Sequence, residues 1–397
     1  MNLAPWGFHN PVRVRFGRGV RSELLDLIGN DVRLLIVTTP RGRRQLTSDQ
    51  ELARLINRSD VGITWMDRVT SNPDLHHLQQ EIDALADHPF DAVVAFGGGS
   101  ALDTAKVLNV ALSNGARGRT LAELLEDPDL HRAIHPQPIY AMPTTAGTGS
   151  EVTPFSTVWD HQEKRKHSLA GPAVYPHTAL VDPALTDELP TEPTLFTGLD
   201  AINQAAESIW NRNATPITLE LAARALELGF EHLPLLIEGA ENPVPHRDGM
   251  AEASLLAGLC ISHTQTAICH SMSYPLTVHF GIPHGLACAV TMVAVLERSL
   301  TFDDGRLSYL ASRLYGIEAT KQNLIAHFSQ LLERLEIQNR ANSYMPSHDI
   351  SLEIAKEMSH PSRITNWLGT SNENEIQTLL TKVFAITAPE TQPSKDK

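Results

Sequence analysis

Short β-branched runs punctuate the first half of the chain and then stop. "VRLLIVTT" (32–39), "DAVVAFGGGS" (91–100) and "PIYAMPTT" (138–145) are almost continuously apolar, as strands covered on both faces must be. "VRVRFG" (12–17) alternates instead, the pattern of a half-buried strand. Helical stretches such as 48–57 and 74–87 lie between the runs. Strands that alternate with helices make βαβ units, and βαβ units make a parallel sheet. After about residue 190 the period changes, and 217–239, 249–276 and 323–337 carry apolar residues at helical spacing. The chain thus reads as an α/β domain over 1–189 and an all-α domain over 190–388. The boundary falls in "DELPTEPTLFTG" (187–198), where two prolines interrupt the pattern. The polar segment 389–397 reads as a frayed tail. A length of 397 residues suits two cores better than one.

The strand signal at 91–96 runs straight into Gly97, Gly98, Gly99 and Ser100, and "ALDTAKVLNVAL" continues as a helix. Glycines let a ligand approach the backbone closely. The free N–H groups and partial positive charge of a helix N-terminus suit a pyrophosphate. The spacing matches neither G-x-G-x-x-G nor G-x-x-x-x-G-K-[ST], and a tight strand-to-helix turn is the competing reading. A second loop, "PTTAGTGSEVT" (143–153), also follows a strand. Two such loops at the carboxyl ends of parallel strands face one crevice, the place where open α/β sheets bind dinucleotides. A flexible Ser/Thr/Gly linker would look similar. In the third loop, "TPRGRRQ" (39–45), Thr39 stands where an acidic residue would bind a ribose 2′-hydroxyl. Arg41, Arg43 and Arg44 beside it suit a 2′-phosphate, so NADP(H) is expected over NAD(H); a solvated basic turn is the alternative.

The helical half holds "HTQTAICHSMSYPLTVHFGIPHG" (263–285), with four histidines. His270 and His284 flank an aromatic and proline-containing break, and Asp200 in "GLDAINQAAESIW" (198–210) offers a carboxylate from another helix. Imidazole and carboxylate suit Fe(II), Zn(II) or a similar divalent ion. Gln204 shares the helical face of Asp200 but is a poor ligand type. Any single buried histidine is as readily a satisfied core group, and His263 and His279 are read as such bystanders. A net charge of −14 argues against a nucleic-acid or anionic-membrane partner. The N-terminus lacks the apolar run of a signal peptide, and no stretch has about 18 uninterrupted apolar residues to span a membrane. Three cysteines make no disulfide framework and fit a reducing cytoplasm.

Over nearly its full length the chain resembles the iron-containing (group III) alcohol dehydrogenases. The likeness rests on "FHNPVRVRFG", "GGGSALDTAK", "MPTTAGTGSEVT", "GLDAINQAAESIW" and "CHSMSYPL…GIPHG". It implies an N-terminal dinucleotide-binding domain, a C-terminal helical domain and an active site in the cleft between them, in subunits that associate as homodimers or larger oligomers. Gly97, Gly98, Gly99 and Ser100 match the family's pyrophosphate loop, and Asp103 and Lys106 the helix that follows. Thr144, Thr145 and Thr148 match residues lining the nucleotide, and Lys166 a lysine on the cofactor ribose. The family holds its divalent metal with one Asp and three His. Asp200, His270 and His284 match three of these, while Gln204 stands at the fourth. Tyr274 replaces the histidine that relays protons beside the nicotinamide, and Thr39 replaces the aspartate of NAD-linked members.

The resemblance implies metal-assisted reduction of a small aldehyde by hydride from NAD(P)H. Tyr274 would supply the proton, with His263 a weaker candidate. "ESIWNRNATPIT", "HSMSYPLT" and "PHGLACAV" resemble the subgroup that reduces phosphonoacetaldehyde to 2-hydroxyethylphosphonate. Asn211, Arg212, Arg363 and Asn366 are candidate phosphonate contacts, with a surface salt bridge the alternative for Arg212. A lactaldehyde-type or general alcohol dehydrogenase and a metal-free nucleotide sensor are the other readings. The sugar-phosphate cyclases of the dehydroquinate synthase type share the architecture but lack this combination of loops.

Overall fold

The computed structural model describes residues 5–127, 134–163, 165–316, 320–345, 349–358, 361–369 and 373–387. The expected tail at 389–397 lies outside them. Six strands form one parallel sheet: β1 (Arg13–Phe16), β2 (Val32–Val37), β3 (Val61–Met66), β4 (Ala92–Gly97), β5 (Ile139–Pro143) and, after a hairpin, β8 (Thr178–Val181). The spatial order is β1-β8-β5-β4-β2-β3. β4, β5 and β8 are buried at every position, as their continuous apolar runs predict. Period-two alternation sorts their side chains: Leu35, Val37, Val93, Ala95 and Ala141 enter one core, and Leu34, Ile36, Val94, Phe96 and Met142 the other. Each of the larger side chains among them contributes about 1.5–3 kcal/mol when fully buried. β1 is an edge strand and largely exposed, less buried than its alternation suggests.

From β2 the chain moves outward to β3, then returns to place β4 on the other side of β2. The carboxyl ends of β2 and β4 therefore flank a switch point, where a crevice opens. Thr39 follows one strand and Gly97–Ser100 the other, so the sheet order alone brings two of the expected cofactor loops together.

An antiparallel hairpin, β6 (Phe155–Asp160) and β7 (Arg165–Ala170), stands outside this sheet. The sequence reading assigned it no element. Its register sets Lys166 opposite Trp159.

The helical half begins with α2 (Thr191–Ile209), which is enclosed by α3 (Pro216–Ile237), α4 (Val244–Thr264), α5 (Ile268–Phe280) and α6 (His284–Ser299); α1 (Gly99–Ala111) is the helix after the glycine loop. The apolar stretch 249–276 is two helices, broken at Gln265, which adopts φ 59°. Among the described residues, a short parallel pair, 349–351 with 385–387, is the one sheet added to the all-helical expectation. The stretch His284–Phe302 is apolar and long enough to cross a membrane, yet Leu286, Ala287, Met292, Val295 and Leu296 are core residues of this half.

Candidate active site

Glycine at 98 and 99 does more than bare the backbone to a ligand. A Cβ on Gly98 would lie 3.1 Å from the Thr145 methyl, and one on Gly99 2.5 Å from the Thr148 methyl. The two cofactor loops can touch only because these side chains are missing. Gly97 itself has φ 151°, which strains any other residue. Gly98 caps α1 without a side-chain acceptor, leaving the first N–H groups of the helix facing the crevice.

Behind the loops, Asp103 accepts from Ser150 Oγ at 2.7 Å and from the Thr157 N–H at 2.9 Å. Buried Lys106 donates to Ser150 Oγ, the Thr153 carbonyl and the Phe155 carbonyl. Burial draws its ammonium down to about 8. Asp103 lines the cleft, but one of its oxygens holds the second loop at Ser150 and the other holds the 155–160 strand at Thr157.

A cleft of about 410 Å³ joins the two halves. Thr39, Gly98, Gly99, Ser100, Asp103, Thr145, Thr148 and Lys166 line it from the α/β side, and Asp200 and His284 from the helical side. Thr39, Arg41, Gly97, Gly98 and Thr144 border a smaller pocket beside it. Of the basic residues in the third loop, Arg41 donates to the Glu188 carbonyl at 3.0 Å. Arg43 pairs with Asp67 at 2.6 Å and stacks over Trp65. Thr39 Oγ1 caps the helix at 40–48 by accepting from the Gly42 N–H.

At the far end of the cleft, Asp200, His270, His284 and Cys288 bring four donor atoms within 4.8 Å of one another. His270 Nε2 is 3.2 Å from Asp200 Oδ1, and His284 Nε2 is 3.9 Å from the same oxygen. The close approach of α6 to α2 depends on Gly285, where a Cβ would lie 1.8 Å from the Phe196 carbonyl oxygen.

Two residues the sequence reading overlooked set the histidine tautomers. Glu207, fully buried on α2, faces His270 Nδ1 at 2.7 Å. A carboxylate only accepts, so Nδ1 carries a proton and Nε2 is the atom turned to the cluster, able to offer its lone pair to a metal. Glu207 also accepts the N–H groups of Ala267, Cys269 and His270, capping the N-terminus of α5. This cap accounts for the break in the 249–276 stretch: the new helix end needs acceptors, and α2 supplies them. Ser273 Oγ donates to the His270 carbonyl at 2.8 Å and so accepts from His284 Nδ1 at 3.2 Å. The Nε2 atom of His284 is then the one that faces Asp200 and the cluster. Burial works to raise the Asp200 carboxyl, but His270 and His284 hold it below its usual range.

A divalent metal fits this donor set. Burial opposes protonation of His270 and His284, but Cys288 and the neighbouring carboxylates raise both above the usual imidazole range, so a metal would displace a proton from each Nε2 and meet two lone pairs and a carboxylate. Buried carboxylates such as Asp200 and Glu207 require pairing or coordination. Gln204 sits one turn beyond Asp200, with Nε2 3.5 Å from the Thr148 carbonyl and a buried Oε1 that has no partner.

A second cavity, about 790 Å³, opens on the other side of the Lys166–Trp159 wall. Lys166, Tyr274, Gln265, Ser271 and Arg363 line it. Tyr274 stacks on His284 at 5.7 Å between ring centroids, with Lys166 Nζ 3.6 Å from its own centroid and Arg363 at 5.6 Å. Burial opposes the phenolate, but Arg363, Lys166 and the two imidazoles draw Tyr274 down to about 7. Burial holds Lys166 below its usual range.

Several expected residues are elsewhere. His263 stacks on Phe8 at 4.1 Å and lines neither cavity, so it has no part in proton relay at this cluster. Arg212 spends its guanidinium on the Trp367 and Gly369 carbonyls, tying the 367–369 backbone to the end of α2. The fully buried Asn211 donates to the Gln265 carbonyl and accepts from the Asn213 N–H. Both are structural ties rather than substrate contacts. Asn366 donates to the Thr266 carbonyl, and His279 pairs with Glu357, in keeping with its reading as a bystander. Arg363 alone of the four phosphonate candidates lines the cavity, anchored by a hydrogen bond to Thr266 Oγ1.

Comparison with known proteins agrees with this geometry. Residues 11–183 match the family model for iron-containing alcohol dehydrogenase, and residues 194–384 match the model for the family's C-terminal part. The probable alcohol dehydrogenase EutG of Escherichia coli (strain K12) is 32% identical over 289 residues, 73% of this chain and 72% of that protein. A phosphonoacetaldehyde reductase of Streptomyces viridochromogenes is 38% identical over 211 residues, 52% of this chain and 53% of that protein. The crystal structure of sulfoacetaldehyde reductase from Bifidobacterium kashiwanohense in complex with NAD+ superposes with a TM-score of 0.81 at 27% identity, covering 96% of this chain and 99% of that one.

Proposed function

The chain belongs to the iron-containing alcohol dehydrogenase family, and from that premise we propose that it reduces a small anionic aldehyde, phosphonoacetaldehyde, to 2-hydroxyethylphosphonate with NADPH. The observation that carries the anionic part is the cavity in which Lys166 and Arg363 flank Tyr274, one ring away from His284. A guanidinium recognises a phosphonate through paired charged hydrogen bonds. The phosphonoacetaldehyde reductase and sulfoacetaldehyde reductase among the relatives are named for aldehydes of this kind.

On this reading Asp200, His270 and His284 hold the metal, and the Gly97–Ser100 and Thr144–Thr148 loops hold the dinucleotide. When bound, the metal supplies Lewis acidity at the aldehyde oxygen and the dinucleotide supplies hydride. The chain's own residues do the rest. Glu207 and Ser273 keep both imidazoles in the tautomer that presents Nε2. Trp159 and Lys166, opposite each other on the hairpin, form the wall shared by the two cavities. Arg363 orients the anionic end of the substrate. Tyr274 Oη holds the proton that the product alkoxide needs, in a position stacked beside His284. The absence of an acidic residue at Thr39, with Arg41 on the small adjoining pocket, supports NADPH over NADH.

Replacing the hydroxyl in Tyr274→Phe is expected to lower kcat for reduction about a hundredfold, within the usual range for a positioned proton donor, with the stacked ring retained. Steady-state kinetics with saturating NADPH measure this, and an unchanged kcat would move the proton source elsewhere. The substrate assignment is tested by comparing phosphonoacetaldehyde, lactaldehyde and unbranched aldehydes, each with NADPH and NADH, in the native enzyme and in Arg363→Ala. Losing one charged contact worth about 1.5–3 kcal/mol should raise KM for phosphonoacetaldehyde roughly tenfold to a hundredfold and leave that for neutral aldehydes near its native value. Equal or better turnover of neutral aldehydes by the native enzyme would remove the phosphonate assignment, and a strong NADH preference would remove the NADPH one.

A further inference from the structure

We propose that the Cys288 thiolate is a fourth protein ligand of the metal held by Asp200, His270 and His284. The inference rests on the reading of this cleft as a metal centre and goes beyond it, because it places a sulfur in a shell that the family builds from carboxylate and imidazole.

The placement comes from helix geometry. His284 and Cys288 are four apart on α6 and therefore share one face. Cys288 Sγ lies 3.9 Å from His284 Nε2 and within 4.8 Å of the donor atoms of His270 and Asp200. Nitrogen, oxygen and sulfur ligands about 2.0–2.3 Å from a shared tetrahedral ion stand about 3.3–3.6 Å apart. The observed 3.2 Å and 3.9 Å separations need only tenths of an ångström of adjustment to meet that geometry, and the remaining donor pairs, all within 4.8 Å, must close by little more than an ångström at most. Cys288 is fully buried, so its sulfur has no solvent to turn to. Cys260, by contrast, donates its thiol to the Thr218 carbonyl.

Gln204 is the competing fourth ligand, since it occupies the helical position one turn after Asp200. A neutral amide oxygen is a weak donor for borderline ions, and a thiolate is a strong one. The thiol proton leaves to solvent as the metal–sulfur bond forms. The resulting shell of one oxygen, two nitrogens and one sulfur favours a borderline-soft ion such as Zn(II) or Co(II) over Fe(II).

Cobalt substitution of the full-length protein tests this directly. Loaded with Co(II), the native protein should show a sulfur-to-cobalt charge-transfer absorption in the near ultraviolet beside the visible d–d bands. Cys288→Ser should lose the charge-transfer band and bind Co(II) at least about tenfold more weakly. Cys260→Ser and Cys269→Ser should keep the band. Native protein that binds Co(II) with d–d bands dependent on Asp200, yet shows no charge-transfer band, would overturn the assignment of Cys288 and leave the metal centre standing. Native protein that binds no Co(II), with or without Asp200, would overturn both. The decisive spectrum is that of the native protein, so the result holds even if a variant folds poorly.

Discussion

Asp200→Ala should purify without stoichiometric metal and reduce aldehydes with kcat/KM at least about a thousandfold below the native value. A metal that polarises a carbonyl oxygen contributes several kcal/mol to the transition state, and each 1.36 kcal/mol is a factor of ten in rate. Asp200 is the only carboxylate in the four-residue cluster found among the described residues. Without it, no carboxylate of the cluster is left to offset the ion's charge, and Glu207 reaches the site only through His270. The fold should survive, because α2 is packed by its neighbours Leu199, Ala201 and Ile202. Metal content by elemental analysis, kinetics with NADPH and a circular-dichroism melt check the three parts separately. A variant that keeps its metal and its rate would remove Asp200 from the shell and, with it, the catalytic reading of the cluster.

Glu207→Gln is the second large effect, and it acts at one remove from the chemistry. Four donor groups point at the native carboxylate: the N–H groups of Ala267, Cys269 and His270, and His270 Nδ1. An amide of the same shape offers one accepting oxygen and sets an NH2 against the remaining donors. Each buried donor left without an acceptor costs about 1–3 kcal/mol, so the metal-free protein should lose about 3 kcal/mol of stability in urea unfolding. The same change frees His270 to adopt the other tautomer. Metal affinity should fall about tenfold to a hundredfold in a chelator competition, as it does when a carboxylate behind a histidine ligand is removed. Unchanged affinity alongside lowered stability would confine Glu207 to capping α5.

How far the sequence carried these conclusions depends on the range of each interaction. The strands at 92–97 and 139–143 were legible because burial on both faces leaves a local, continuous apolar run. The glycine loop and the Ser/Thr loop were legible for the same reason, as each is a few consecutive residues after a strand. The hairpin 155–170 was not, because "FSTVWD" and "RKHSLA" mix charge, hydroxyl and apolar groups on a ribbon that lies outside the main sheet. That hairpin nevertheless carries Lys166. In the site, Asp200, His270 and His284 stood out by residue type and by resemblance. Glu207 and Ser273 act by hydrogen bonding across helices 60 or so and 11 residues away in sequence, and no local pattern marks them. Cys288 is legible in the i,i+4 spacing of "HGLAC", the spacing that also puts Asp200 and Gln204 on one face. Arg212 misled because a cation near a site-bearing helix looks the same in sequence whether it meets a substrate or a backbone carbonyl.

One contact between the halves constrains how proteins of this shape can diverge. A Cβ added to Gly149, in the loop above the cleft, would lie 2.3 Å from the Gly258 Cα, and one added to Gly258, on α4, would lie 2.7 Å from the Gly149 Cα. Gly149 also has φ 60°, so a side chain there is strained whatever the space. The obstruction is mutual and made of backbone, which cannot rotate aside as a side chain can. Neither position can therefore change while the other stays, and changing both makes the collision worse. A side chain at either position therefore requires α4 to shift away from the loop, so the two glycines together set how closely the halves can approach.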